Sequence, residues 1–207
     1  MIYIISGLPR SGTSLLMQIM KEGGKTIATD GERLADKNNP LGYYEVEGIM
    51  QKLKETPSCI DAYEGMVLKL ICYGLPFLPP RNYKVVYIER NIGEVLASME
   101  KMDGKKIPDQ TAAALIQLNE KMKQHIQARE DMKALFVAHD KMITQDEQTL
   151  HSLQKFCDLQ GDFANIINQD LYRNVRVHRN IAQTATNIPE SSQEQMTLDK
   201  LRSLGYL

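Results

Sequence analysis

The chain has 207 residues and a formal net charge of −1, from 25 Lys and Arg against 26 Asp and Glu. That balance argues against a nucleic-acid binder held by bulk charge, and no apolar run approaches the length of a membrane span. The length suits one domain with a sizeable core. Cys59, Cys72 and Cys157 are odd in number and lack metal-type spacing, so reduced thiols in a cytoplasmic setting are expected.

In chain order, Met1 to Ser6 is a short, almost wholly apolar run suited to a strand buried on both faces. A core strand that begins at residue 1 is expected to leave no room for a signal peptide. Gly7-Leu8-Pro9-Arg10-Ser11-Gly12-Thr13-Ser14 follows as a glycine-bounded, hydroxyl-rich turn, and Leu15 to Met20 as a helix closed by Gly23-Gly24. Strand, loop and helix in that order present backbone N–H groups and a helix N-terminus to a phosphate.

Lys25 to Ala28 is a short strand candidate. Thr29 to Glu45 is a polar segment rich in breakers and charged residues, of the kind that carries function. A polar helix is expected over about Val46 to Glu55, a strand over Gly65 to Ile71, and a proline-rich turn from Gly74 to Pro80. Tyr83 to Ile88 is the clearest later strand. Helices are expected over Ile92 to Met102 and Asp109 to Met132, a strand over Ala134 to Ala138, and a helix from Asp146 to Leu159. Strands separated by helices imply right-handed crossovers and a mostly parallel sheet covered on both faces, an α/β three-layer sandwich. Gln183 to Gln195 has the composition of a linker and Leu198 to Leu207 that of a small amphipathic tail, so the expected division is a domain over residues 1–180 and, over 181–207, a polar linker and a short tail that packs back or is flexible.

The loop has the Walker A frame from Gly7 to Gly12, but Thr13-Ser14 stands where Lys-Ser/Thr usually follows, and the positive charge has moved to Arg10. A guanidinium there can fork onto a terminal anion without a metal. Leu8-Pro9-Arg10-Ser11-Gly12-Thr13-Ser14-Leu15-Leu16 resembles the 5′-phosphosulfate loop of sulfotransferases that use 3′-phosphoadenosine 5′-phosphosulfate (PAPS), in the form seen in tyrosylprotein and many bacterial members. Glu89-Arg90, directly after a strand, with Ser98 eight residues beyond Arg90 in the next helix, resembles the 3′-phosphate site of the same family. Arginine supplies a charged fork and the serine a further donor.

Separated matches extend the resemblance over most of residues 1–175: Asp30-Gly31, Arg33, Ala35-Asp36, Asn39-Pro40, Gly42-Tyr43-Tyr44-Glu45, Lys69, Leu75-Pro76-Phe77-Leu78-Pro79 and Leu171-Tyr172-Arg173. It implies a P-loop NTPase-like sulfotransferase fold and metal-independent, in-line transfer of a sulfonate from PAPS to a hydroxyl or amine of a small molecule or protein side chain. It also implies cofactor contacts from Pro9, Arg10, Ser11, Gly12, Thr13, Ser14, Arg90, Ser98 and Arg173, with Arg10 and the amides of Ser11 to Ser14 at the 5′-phosphate. Lys69 would reach the sulfonate or the leaving oxygen, or else snorkel from its strand.

The chain departs from the family where cytosolic members carry Lys-x-His: here the run is Lys69-Leu70-Ile71, and the base must come from elsewhere or be missing. Glu32 and Glu45 are the two carboxylates placed for that role, each equally readable as a surface residue. Arg176 and Arg179 continue the spacing of Arg173 as a second grip or a solvated basic face, and His139 follows the last strand, where a ligand is met. Tyr43, Tyr44 and Tyr73 either line an aromatic-tolerant pocket or pack. Two rivals remain: a Mg²⁺-dependent nucleotide kinase, with Val85 to Glu89 as a Walker B run, and a PAPS-binding module without catalysis. The acceptor and the oligomeric state are not legible.

Overall fold

The computed structural model describes residues 1–31, 42–161, 163–167 and 190–205. Four strands, β1 (Ile2–Gly7), β2 (Val67–Lys69), β3 (Tyr83–Glu89) and β4 (Met132–Ala138), form one sheet in the order β2-β1-β3-β4, every pairing parallel. The register sets Ile5 beside Lys69 on one side and Val86 on the other, and Gly7 beside Ile88. All the strands therefore end on one edge.

Alternation along the strands divides the core into two layers. Ile2, Ile4, Leu68, Val85 and Tyr87 pack with Leu53 of α2 (Ile49–Glu55), Val95 and Met99 of α3 (Ile92–Asp103) and Leu115 of α4 (Asp109–Ala128). Tyr3, Ile5, Val86, Ile88 and Val137 face Leu16, Met17 and Met20 of α1 (Thr13–Glu22), Met142 of α5 (His139–Ile143) and Leu153 of α6 (Glu147–Cys157). Each fully buried Ile, Leu or Met contributes about 1.5–3 kcal/mol of hydrophobic burial, so both faces hold the sheet in place. This is the expected α/β sandwich with a parallel sheet covered on both sides.

Several elements differ from expectation. Lys25 to Ala28 forms only a single parallel bridge, Ile27 to Val67, with Ala28 N–H donating to the Val67 carbonyl at 2.9 Å. β2 is shorter than Gly65 to Ile71, because from Cys72 the chain tightens into a 3₁₀ turn reaching Phe77. Asp30 Oδ2 takes the Glu47 N–H at 2.5 Å, and α2 begins only at Ile49. α4 stops at Ala128: Arg129 instead donates from Nε to Asp131 Oδ1 at 2.8 Å and from Nη1 to the Leu78 carbonyl at 2.7 Å. The short α5 follows β4 at once.

The C-terminal helix α7 (Glu190–Ser203) begins inside the stretch expected as linker. Leu201, and Leu204 just beyond the helix, are buried in the first core layer, and Leu198 packs against it. Lys200 Nζ pairs with Asp103 Oδ2 at 2.9 Å, fastening α7 to the end of α3. No described helix is long and apolar enough to cross a membrane.

Candidate functional site

In an open parallel sheet, the crevice for a ligand lies outside the carboxyl ends of the strands where the strand order reverses. Here the chain goes from β1 to β2 on one side, then crosses to β3 on the other, so that point is the C-terminal end of β1. The loop of residues 8–12 leaves from it.

Two glycines shape this loop for steric reasons. Gly7 has φ +154°, and a Cβ there would lie 2.6 Å from Ser11 Oγ and 2.7 Å from the Ile88 carbonyl oxygen. Gly12 has φ +107°, and its Cβ would meet His139 Cδ2 at 2.6 Å. The Ser11 N–H closes the turn on the Leu8 carbonyl at 3.1 Å. Gly12 then occupies the cap of α1 with no side chain hydrogen-bonded across it, and the first turn contains no acidic residue. The opening N–H groups of a helix have no intrahelical acceptor, and they carry its positive end. Ser11 Oγ is buried with no hydrogen-bond partner among the described residues. A glycine-shaped turn running into an uncapped helix N-terminus is the kind of arrangement that serves as a phosphate cradle. Pro9 and Thr13 are buried beneath it.

A second group of polar residues stands at the ends of β3 and α3. Arg90, the first residue beyond β3, donates from Nη1 to the Arg10 carbonyl at 3.0 Å and from Nε to Glu94 Oε2 at 3.1 Å. Glu94 is almost fully buried. Arg10 Nε donates to Ser98 Oγ at 3.1 Å. The two motifs, 80 residues apart in sequence, are thus bonded to one another. Asn91 caps α3 by accepting the Gly93 N–H at 3.0 Å, which fixes how α3 leaves the strand and where Ser98 comes to lie.

A third group centres on Lys69 at the end of β2. Its side chain is only 2% exposed, and Nζ donates to Ser14 Oγ at 3.0 Å and to the Tyr43 carbonyl at 2.8 Å, with Glu45 Oε1 at 2.8 Å. The lysine is therefore buried and paired, joining the start of α1 to the segment of residues 42–46. Tyr44, in that segment, has φ +52°. Arg10 and Tyr44 are two of the four described non-glycine residues with positive φ, and strained backbone of this kind concentrates at functional sites.

His139, the first residue of α5, lies against Gly12 and is buried. Burial and then the Arg90 guanidinium push its imidazole down to about 4, against the opposing Glu94 and Asp140. It is neutral at physiological pH and acts as a wall behind the loop. Tyr43 is buried, and Tyr73 donates to Glu194 Oε1 of α7 at 3.2 Å while its ring meets Phe77 edge-on. Glu32, Arg173, Arg176 and Arg179 lie outside the described residues. Glu94 escaped the sequence reading, although Arg90–Glu94 has the i,i+4 spacing that signals a helix-face ion pair. The contact of Ser14 with Lys69 had no such signal.

The family model for the sulfotransferase domain matches residues 3–201. The chain belongs to the sulfotransferase family. The sulfotransferase domain of the curacin biosynthetic pathway is similar in structure, with TM-score 0.46 and 15% identity over 100% of this chain and 97% of that one. A mouse sulfotransferase complexed with PAP gives TM-score 0.44 and 14% identity over 97% and 83% of the two chains. The sulfotransferase domain of the Synechococcus PCC 7002 olefin synthase gives TM-score 0.47 and 15% identity over 100% and 94%. A sequence search of curated proteins finds no match. For this sulfotransferase-family chain, the α/β architecture with its all-parallel sheet agrees with its membership.

Proposed function

We propose that this sulfotransferase-family protein moves a sulfonate from PAPS to a hydroxyl or amine acceptor, without a metal. The observation that carries the reading is the bond from Arg90 to the Arg10 carbonyl, which joins a phosphate cradle to a second cationic site on one sheet edge. An adenosine carrying separate anionic groups on its 5′ and 3′ oxygens matches that pair of sites. The loop amides of Gly12 to Ser14 and the N-terminus of α1 hold the 5′ end, the Ser11 N–H being used on the Leu8 carbonyl, and Arg90 with Ser98 holds the 3′-phosphate. The donor supplies a sulfur joined to a good leaving oxygen.

Lys69 Nζ, held beside Ser14, places its positive charge near the bridging oxygen on which negative charge grows. Glu45 is the described carboxylate at this point. It takes the acceptor's proton as the acceptor oxygen or nitrogen bonds sulfur and the sulfur–bridging-oxygen bond breaks. Lys69 orients Glu45 for this step and balances its charge. In the kinase reading, Glu89 would serve the metal. Glu89 is instead paired with Lys123 Nζ at 2.8 Å, turned toward α4.

Calorimetric titration tests the reading. Adenosine 3′,5′-bisphosphate should bind without metal and more tightly than ATP with Mg²⁺, and release of the bisphosphate from PAPS should depend on added phenol or amine acceptors. Preference for ATP with Mg²⁺ would establish the kinase instead. Tight bisphosphate binding with no transfer to any acceptor would make the chain a binding module.

A further inference from the structure

Glu45 lies in a segment that is neither strand nor helix, so no ladder of sheet hydrogen bonds fixes its backbone. Lys69 Nζ holds this segment from one side, through the Glu45 carboxylate and the Tyr43 carbonyl, each at 2.8 Å. Asp30 holds it from the other. The Asp30 N–H donates to the Glu45 carbonyl at 3.3 Å, and Asp30 Oδ2 accepts the Glu47 N–H at 2.5 Å. One residue thus grips the backbone on both sides of Val46, once as donor and once as acceptor. Tyr44, directly before Glu45, has φ +52°, a conformation that persists in a non-glycine residue only where its surroundings enforce it.

Asp30 is itself placed by β2, the strand that carries Lys69. Ile27 bridges Val67 in parallel: the Val67 N–H donates to the Thr26 carbonyl and the Ala28 N–H to the Val67 carbonyl, both at 2.9 Å. Asp30 comes three residues after that bridge on its own segment, and Lys69 comes two after it on β2. Extended chains running in parallel advance at about the same rate, roughly 3.3 Å per residue. The contacts close a ring. Lys69 meets Glu45 through the carboxylate, Glu45 meets Asp30 through the backbone, and Asp30 returns to β2 through the bridge.

We infer that Asp30 is a positioning residue for sulfonate transfer, clamping the backbone of Glu45 so that its carboxylate is held against Lys69. This inference rests on the reading of Glu45 as the base, and Asp30 acts through Glu45 rather than on the substrate. Asp30 is exposed, so Asp30→Ala removes the clamp without opening a cavity in the core.

Two readouts on the full chain separate the clamp from the chemistry. The first is the stability coupling between Lys69 and Glu45, from urea unfolding of Lys69→Met, Glu45→Gln and the double variant. In the Asp30→Ala background that coupling should fall to less than about half of its parent value. The second is steady-state transfer from PAPS. Asp30→Ala should lower kcat about ten- to a hundredfold, the scale of a misplaced reacting group. Binding of adenosine 3′,5′-bisphosphate should stay within about twofold, because the loss falls on the chemical step. Asp30→Asn keeps an acceptor oxygen for the Glu47 N–H and should recover most of the kcat. In a Glu45→Gln background, Asp30→Ala should lower kcat no further. Unchanged coupling in Asp30→Ala would overturn the inference, as would a loss of kcat that adds in full to that of Glu45→Gln. A coupling that falls in a chain whose parent transfers no sulfonate would overturn the reading of Glu45 as the base and leave the clamp standing.

Discussion

Lys69 shows how a single residue can be legible in position and illegible in role. Its place at a strand end was visible in the sequence, but its burial was not, because Glu45 is 24 positions away and the pairing exists only once the segment of residues 42–46 closes over β2. A buried ion pair that loses one partner leaves an uncompensated charge, typically costing about 3–5 kcal/mol. Lys69→Met should therefore lower stability by about that amount, as read by urea unfolding, and adding Glu45→Gln should recover most of it. Sulfonate transfer should remain at least about tenfold down in both variants, and restored turnover in the double variant would remove Lys69 from the reaction.

His139 gives a pH signature at the same scale. An unfolded histidine takes a proton near 6.5, whereas His139 in the fold stays neutral down to about 4. Between those values the unfolded chain binds the extra proton, so stability falls as pH drops through the window and is unaffected above it. The full effect is about 3 kcal/mol. Urea midpoints measured from pH 7 to pH 4 should fall further for the parent than for His139→Gln. Parallel curves would contradict the neutral, buried imidazole.

Among the elements, those with one dominant pattern were the legible ones. β1 and β3 are runs of Ile, Val and Tyr buried nearly throughout, and α1 and α3 carry an apolar face of several residues. β2 was overdrawn because apolar Leu70 and Ile71 continue the pattern, while the backbone has already turned toward the 3₁₀ segment. The start of α7 was missed because its first turns are Glu, Ser and Gln; the leucines that meet the first core layer come only from Leu198 on, where the docking amphipathic tail was expected. Leu201 is fully buried, so Leu201→Ala should cost about 2–5 kcal/mol in urea unfolding. A change below about 0.5 kcal/mol, the scale of a surface substitution, would mean that α7 does not pack in solution.

For the molecule as a whole, the strand order decides where the chemistry sits. Reversal at β1 brings the ends of β1, β2 and β3, and the helices that follow β1 and β3, to one crevice. The two motif regions were legible separately in the sequence, each from residue type and spacing. Their contact was not, since it depends on β1 and β3 being neighbours in the sheet. The account therefore turns on whether the second cationic site holds one end of a ligand whose other end lies in the cradle. The most direct measurement is metal-free calorimetry of adenosine 3′,5′-bisphosphate with the parent chain and with Arg90→Glu, alongside melting curves to confirm that the variant folds. The account predicts that the charge reversal weakens binding at least a hundredfold, about 3 kcal/mol or more. A folded Arg90→Glu protein that binds the bisphosphate as tightly as the parent would contradict it.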